Sequence, residues 1–421
     1  IIAKRGYEPI FLIVEELLNY ARQMGVPFSS RGSAASSLVA YCLEITHPEP
    51  LGLNLFFERF LNPARTSPPD IDTDLCSRKR DLVIQHVFDT YGAERVAMVG
   101  TINRFGLRSA LGEVAKAHGV PAPEIRQWVN QLPYFGFQRF SKEEKDQPFS
   151  GLRAAYPKHE KIFDEAQALL RQPRHLSMHP GGVLVAPGEI TDWVPVLRSA
   201  SKDFHITQLD LDGVEALGLV KIDLLGIRGL SVLGDVAEMI YSWRRTEYSQ
   251  ATQVLEQIPL EDVDTSERIR TAQTIGCFQI ESPGMRATLK DIQATSANDI
   301  MAALALYRPG PLRGGLHDAF IRRFKGLEKV EHFHPILEPL LAESYGVILY
   351  QEQVLRIAHE VGGLSLADAD LLRRAMSHFD PGEQMKNLRE RFLTGFQKKG
   401  VPQETAEKVW EMMAAFAGYG F

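Results

Sequence analysis

Three aspartates alternate with other side chains in Pro69-Asp70-Ile71-Asp72-Thr73-Asp74-Leu75. A period of two is that of a half-buried strand, so Asp70, Asp72 and Asp74 project from one face. Neighbours on one face lie roughly 6–7 Å apart, a spacing at which two carboxylates share one cation or bridge two. A sheet tolerates such a row only where the face is very wet or a cation sits on it. A second strand, Leu217 to Leu225, carries Lys221 and Asp223 on the face opposite Val220, Ile222 and Leu224. An acid and a lysine on an otherwise apolar strand need partners, either a salt-bridge network or a functional centre. A third stretch, Ser29 to Ser37, sets Arg31, Gly32 and Ser33 at an expected helix start. Backbone N–H groups there, with an arginine alongside, suit an anion such as phosphate; the same small residues also suit tight helix packing. Paired acids, a third acid and a phosphate-suited loop together point to two-metal phosphoryl transfer. Two Mg²⁺ ions roughly 3.5–4 Å apart activate an attacking hydroxyl and stabilise the leaving oxygen, and magnesium favours carboxylates with substrate phosphates. A nuclease or phosphatase uses the same acids. Basic residues placed for a triphosphate, Lys221 and arginines among them, discriminate in favour of nucleotidyl transfer.

The elements that must position these residues follow from periodicity. Residues Pro9 to Met24 predict a helix with Ile10, Val14, Leu17, Ala21 and Met24 inward and Gly25 as its stop. A helix after Ser37 is predicted to bury Leu38, Tyr41, Cys42 and Ile45. A Pro-rich connection from Leu61 to Pro69 enters the acidic strand, where a leading proline is permitted. A helix over Ser77 to Tyr91, packing through Val83, Val87, Phe88 and Tyr91, and a strand over Val96 to Val99 follow. From Thr101 to Arg174 the pattern is mostly helical, broken by a polar loop near Ser141 to Gln147. A turn at His179-Pro180-Gly181-Gly182 leads into a buried strand, Val183 to Ala186. His175 and His179 are four apart, a spacing for two zinc ligands on a helix, but Pro180 and two glycines break any helix there and no third ligand is evident. Beyond Gly229 the chain reads as helical, with a polar connection over Ser242 to Asp264 and a capping pair, Ser365 and Asp368. Basic residues gather at Arg313, Arg322, Arg323 and Lys325, and again at Arg373, Arg374, Lys386, Arg389 and Arg391. Such patches suit a polyanion; adjacent helical arginines otherwise read as a solvated face.

At 421 residues the chain is long enough for two or three domains. With 44 % hydrophobic and 24 % charged residues it has the composition of a globular protein. No signal peptide or membrane-length apolar run stands out. Cys42, Cys76 and Cys277 are odd in number and far apart, which points to reduced thiols in a cytoplasmic compartment rather than a disulfide frame or zinc cluster. A net charge of −6 gives no global nucleic-acid signature, yet only the charge local to the phosphates matters, and a divalent metal adds its own. The start at Ile1 and the stop at Phe421 without a polar tail suggest an internal segment of a longer protein.

Taken in order, short strings along the chain resemble the polymerase core of the bacterial C-family, the group of the DNA polymerase III α subunit and its error-prone paralogues. Arg31-Gly32-Ser33 is similar to the family's Gly-Arg-Gly-Ser palm motif, with Ser30 where the family usually has glycine. Phe57-Glu58-Arg59-Phe60-Leu61-Asn62-Pro63 resembles its approach to the active site, and Pro69 to Asp74 its Pro-Asp-x-Asp-x-Asp motif. His179 to Gly182 and Val220-Lys221-Ile222-Asp223 resemble the second half of the palm. Phe278 to Ser282, Arg308-Pro309-Gly310-Pro311, Tyr350-Gln351-Glu352-Gln353 and Leu372-Arg373-Arg374-Ala375-Met376 resemble finger motifs. Asn103 to Ala110 is more similar to the error-prone branch, while Val220 to Gly226 and Arg308 to Leu312 are closer to the replicative one.

The resemblance implies an α+β multidomain fold: a nucleotidyltransferase-type, polymerase β-like palm with a mixed sheet over residues 1–100 and 179–228, a helical thumb insertion over 101–178 and helical fingers over 229–421. It implies a DNA-directed DNA polymerase that joins deoxynucleotides to a primer 3′-hydroxyl and releases pyrophosphate. Asp70, Asp72 and Asp223 would be catalytic and hold two Mg²⁺ ions, with Asp74 in a supporting role. Arg31, Gly32, Ser33 and Lys221 would meet the incoming triphosphate, Arg373 and Arg374 would close on it, and Tyr419 would lie beside the nascent base pair. Arg308 would either contact nucleotide or brace the fingers. Partners would be primer–template DNA, dNTPs and, through segments beyond this chain, a sliding clamp and replisome or translesion subunits. The alternatives are a DNA-binding scaffold that has lost catalysis and a metal-dependent nuclease.

Overall fold

A computed structural model of the chain describes residues 1–63, 65, 68–132, 148–199, 204–244, 247–259, 261–308, 312, 315–378 and 383–417. Tyr419, Arg313, Pro309 to Pro311 and the loop expected over 141–147 lie outside the described residues. The described strands, in chain order, are β1 (Phe28–Arg31), β2 (Asp72–Cys76), β3 (Val96–Arg104), β4 (Pro173–Val185), β5 (Val196–Arg198), β6 (His205–Thr207) and β7 (Lys221–Ile227). The chain forms two units: Ile1–Ile84 with Asp223–Phe421, and Gln85–Ile222. It is an α+β protein whose strands pair both parallel and antiparallel.

In the first unit β1 runs antiparallel to β2, and β2 parallel to β7. The helix Glu8–Gln23 takes Pro9 in its first turn and stops before Gly25, whose φ is +58°. It buries Phe11, Val14, Leu17, Leu18 and Ala21. Met24, expected inward, is exposed because it caps the helix end rather than extending the stripe. Residues after β1 differ more from expectation. Gly32–Ser36 is a 3₁₀ turn, and the helix behind it, Leu38–Cys42, has only five residues. Leu38, Tyr41 and Cys42 are exposed and only Ile45 is buried. The turn redirects the chain after one helical step, so no amphipathic face develops.

The regular elements described over residues 228–417 are all helices, as the sequence predicts. Two clusters hold this region together. One gathers Met285, Leu289, Leu306 and Phe320. The other gathers Leu355, Leu372, Phe392, Phe396 and Trp410. Ser365 Oγ accepts the Asp368 N–H at 3.1 Å and caps the helix Leu366–His378.

The second unit pairs β3 antiparallel with β4 and parallel with β6, and β5 antiparallel with β6. Its helices Leu107–Ala117, Ala122–Gln131 and Glu160–Leu169 enclose Trp128, Phe149 and Phe163. Two expectations change here. Thr101 to Arg104 continues β3 rather than opening a helix. The expected turn at His179 to Gly182 is instead a bulge inside the long strand β4: Met98 pairs with Val183 and Gly100 with Met178, so a two-residue step on β3 faces a five-residue step on β4. His179 Nδ1 accepts the N–H groups of Gly181 and Gly182 at 3.2 and 2.7 Å and closes that bulge. His175 lies on the strand beside Asn103 at 3.1 Å, and neither histidine joins a metal-binding group among the described residues.

Candidate metal centre

The acidic group is built by two neighbouring strands, β2 and β7. Pro68 and Pro69 cannot donate to a ladder, so pairing starts only at Asp72, and Asp70 and Ile71 form its unpaired approach. Alternation still holds: Ile71 and Thr73 are buried on one side, while Asp70 is exposed and Asp72 half-buried on the other. In the β2–β7 register Asp72 stands directly opposite Asp223. Asp70, Asp72 and Asp223 each bring a carboxylate oxygen within 4.8 Å of the others. Two of these acids come from one strand and the third from its parallel neighbour, so the β2–β7 register is what assembles them.

Asp74, on the same side of β2, leaves this group. Its Oδ2 receives Arg31 Nε at 2.9 Å. Arg31 lies opposite Asp72 in the β1–β2 register, so its reach to Asp74 is a diagonal cross-strand pair. Burial pulls the Arg31 guanidinium down, but the hydrogen bond and charge of Asp74, with Asp72 and Asp223 behind it, outweigh this and raise it overall. At Asp72 nothing offsets burial to the same degree. Burial first, then Asp70 and Asp223, push its carboxyl up to about 6, against a smaller opposing pull from Arg31. Like charges converging on a half-buried carboxyl are what a divalent cation relieves, and an all-carboxylate donor set is the chemistry a hard cation prefers.

Gly32 opens the turn beside Asp72 with φ +78°, a conformation that a side chain strains. Ser33 follows it in the turn, half-buried. Ser30 points to the other side of β1, where its hydroxyl pairs with Thr73 Oγ1 at 3.2 Å, so the serine fits without disturbing the loop. Lys221 belongs to the second unit. A Cβ on Gly182 would stand 3.1 Å from Lys221 Cδ, so the bulge glycine lets the lysine chain pass.

Arg373 and Arg374 do not form a solvated face. Asp370, 1 % exposed, accepts Arg373 Nη2 at 2.9 Å and Arg374 Nη2 at 2.8 Å. Asn62 Nδ2 reaches the same carboxylate at 3.4 Å. Arg373 Nη1 also donates to Gln351 Oε1, and Arg59 pairs with Glu352. Gln353, next in sequence and buried, accepts the backbone N–H groups of Leu349 and Tyr350. Arg65 feels both charge centres. Burial, then Arg374, lower its guanidinium, while Asp370 and Asp70 raise it. Burial likewise lowers Arg308. Asp370, Arg59, Asn62 and Arg65 were given no role by the sequence analysis; the Phe57 to Pro63 string was a signal for two of them, Arg59 and Asn62, and a single helical aspartate gives none.

The other basic stretch is neutralised at the surface. Arg322 and Arg323 both bind Glu328, and Lys325 binds Asp291.

Comparison with known proteins shows the family of the chain. A family model described as the bacterial DNA polymerase III alpha NTPase domain matches residues 1–226, and one described as the bacterial DNA polymerase III alpha subunit finger domain matches residues 229–400. The chain is 40 % identical over 431 aligned residues to the DNA polymerase III subunit alpha of Thermus aquaticus, covering all of this chain and 34 % of that protein. It is 38 % identical to the proteins of the same description from Escherichia coli K12 and Halalkalibacterium halodurans, covering all of this chain and 37 % of each. The chain thus spans about a third of the length of these relatives.

Proposed function

The chain belongs to the bacterial DNA polymerase III alpha family, and from that membership we propose that it carries the nucleotidyl-transfer centre of a DNA-directed DNA polymerase. The observation that carries the proposal is the convergence of Asp70, Asp72 and Asp223 on the β2–β7 register. These three carboxylates would hold two Mg²⁺ ions, which when bound supply charge neutralisation and a lowered pKa for the attacking hydroxyl.

The protein's own part is positioning and electrostatics. Asp70, Asp72 and Asp223 converge from two neighbouring strands and fix where cationic charge gathers. Arg31, anchored on Asp74, remains charged at the edge of that site. The glycine turn at Gly32 and Ser33 offers backbone close to Asp72 for the incoming phosphates. Lys221, Arg373 and Arg374 would supply further positive charge for a triphosphate, and the resemblance assigns Tyr419 to the nascent base pair. In this assignment residues 1–100 with 179–228 form a palm, 101–178 a thumb and 229–421 fingers. The substrates are primer–template DNA and dNTPs, the compartment is the cytoplasm, and a sliding clamp and other replisome subunits are the protein partners. Among the described residues no helix is long and apolar enough to cross a membrane.

Primer extension with Mg²⁺ tests the assignment. The unaltered protein extends a primer; Asp72→Ala does not, and it retains primer–template binding within about threefold, because carboxylates contribute no phosphate contacts. Equal extension by both proteins overturns the active-site assignment, and template-independent cleavage of the primer supports the nuclease alternative.

A further inference from the structure

Two charged guanidiniums on one buried carboxylate are an arrangement that needs a reason. Asp370 sits on the helix Leu366–His378 one turn before Arg373 and Arg374 and is almost wholly removed from solvent. Its Oδ1 takes both Nε and Nη2 of Arg373, at 3.2 and 2.9 Å, and so fixes the plane of that guanidinium. Its Oδ2 takes Arg374 Nη2 at 2.8 Å and Asn62 Nδ2 at 3.4 Å. Asn62 is itself held by the Glu58 carbonyl at 2.9 Å. Arg5 donates to the carbonyls of Pro63 and Arg65 and holds the next turn of that segment. One carboxylate therefore orients two adjacent arginines and ties them to the segment that leads into Asp70.

We propose that Asp370 is a positioning residue for nucleotide binding: it holds Arg373 and Arg374 in one orientation relative to the segment leading into the acidic strand. The proposal rests on the assignment of those arginines to the triphosphate. Side-chain entropy is the physical reason. An arginine left to itself must be ordered by the ligand, whereas one already clamped by a carboxylate spends little of the binding energy on ordering. An amide at position 370 keeps the size but offers one acceptor oxygen in place of two and aims N–H groups at a cation or at Asn62. Both arginines then cannot be held together.

The test is D370N, with N62A as the milder variant that leaves the carboxylate in place. Two readouts are taken: equilibrium binding of dATP to the primer–template complex with Ca²⁺ in place of Mg²⁺, and single-nucleotide extension with Mg²⁺. D370N weakens dATP binding about tenfold, the scale of a charge-assisted hydrogen bond, and raises KM for dATP by a similar factor. Its kcat falls by less than about threefold and its primer–template affinity is unchanged, since positioning is lost while the metal acids are intact. N62A shifts dATP binding about two- to threefold in the same direction, the scale of one neutral hydrogen bond. A structural role alone lowers DNA affinity and kcat and leaves the dATP constants unmoved, and that result overturns the proposal. If D370N fails to fold, as circular dichroism reveals, an unmoved dATP constant in N62A overturns it. An unaltered protein that binds dATP but does not extend primers overturns the polymerase assignment while the binding series still decides the role of Asp370.

Discussion

Two arginine pairs of this chain look alike in sequence and differ in structure. Arg322-Arg323 and Arg373-Arg374 are each adjacent, helical and bound to a single carboxylate. Glu328 serves the first pair with a third of its side chain exposed, and the two arginines draw its carboxyl below the ordinary range. Asp370 serves the second pair at 1 % exposure, and burial pushes Arg373 down. The helices differ at their starts too. Leu316–Phe324 begins on Gly315 with no side-chain cap, while Leu366–His378 begins on the Ser365 cap. Arg323, 18 % exposed, is about as shielded as Arg373 at 15 %, so what separates the pairs is the carboxylate: water reaches Glu328 and hardly reaches Asp370. A shared carboxylate thus tidies charge at a surface but fixes geometry in an interior.

Removing each carboxylate is the strongest way to break this comparison. Asp370→Ala costs about 3–5 kcal/mol of stability, the penalty for leaving buried cations without their counter-charge, whereas Glu328→Ala leaves the urea midpoint unchanged. Equal midpoints in the two variants would erase the distinction. Removing the arginines gives the next effect. Arg373→Ala raises KM for nucleotide about tenfold with a smaller change in DNA affinity, and Arg322→Ala leaves KM alone. If only DNA affinity falls in Arg373→Ala, that arginine belongs to the duplex track. The caps come third: Ser365→Ala destabilises by about 1 kcal/mol, read from the same urea titration, and Gly315→Ser at the uncapped helix leaves KM for nucleotide untouched.

The smallest effect extends the comparison to a carboxylate that no buried arginine serves. Asp72 titrates in the folded, cation-free protein near 6, above the ordinary 3.8. A raised carboxyl favours the fold fully below its unfolded value and loses that contribution as pH rises through 6. In EDTA the melting temperature therefore gains about 1–2 °C between pH 7.5 and 5.5 from this group, after discounting for solvent screening. Added Mg²⁺ stabilises more at pH 7.5 than at 5.5. Asp72→Asn removes this part of the pH dependence; a slope identical to that of the unaltered protein would show that Asp72 is not its source.

Much of the acidic centre was legible in the residues. Period-two alternation placed Asp70 and Asp72 on one side of a strand, and the apolar run around Asp223 gave the other strand. The Ser365 cap was legible as well, because capping is local. What escaped depends on register and on distance along the chain. Periodicity makes Asp70, Asp72 and Asp74 equivalent; only the pairing of β1 with β2 hands Asp74 to Arg31. The His179 to Gly182 string reads as a turn because glycine and proline break elements, yet the same residues make a bulge when the strand resumes on both sides. Asp370 carries no pattern at all, since its partners include a residue more than three hundred positions earlier.

The β2–β7 register has a further consequence for the chain as a polymer. About 150 residues separate Asp72 from its partner Asp223, and most of them form the second unit. The entropy of closing so long a loop grows only with the logarithm of its length; doubling it adds about 0.6 kcal/mol. The intervening unit can therefore lengthen, shorten or be exchanged at little thermodynamic cost to the junction. A slip of one residue between the two strands, by contrast, turns Asp223 to the other face and dissolves the trio. The acidic centre is indifferent to how much protein is spliced into its middle and intolerant of a single step at the seam.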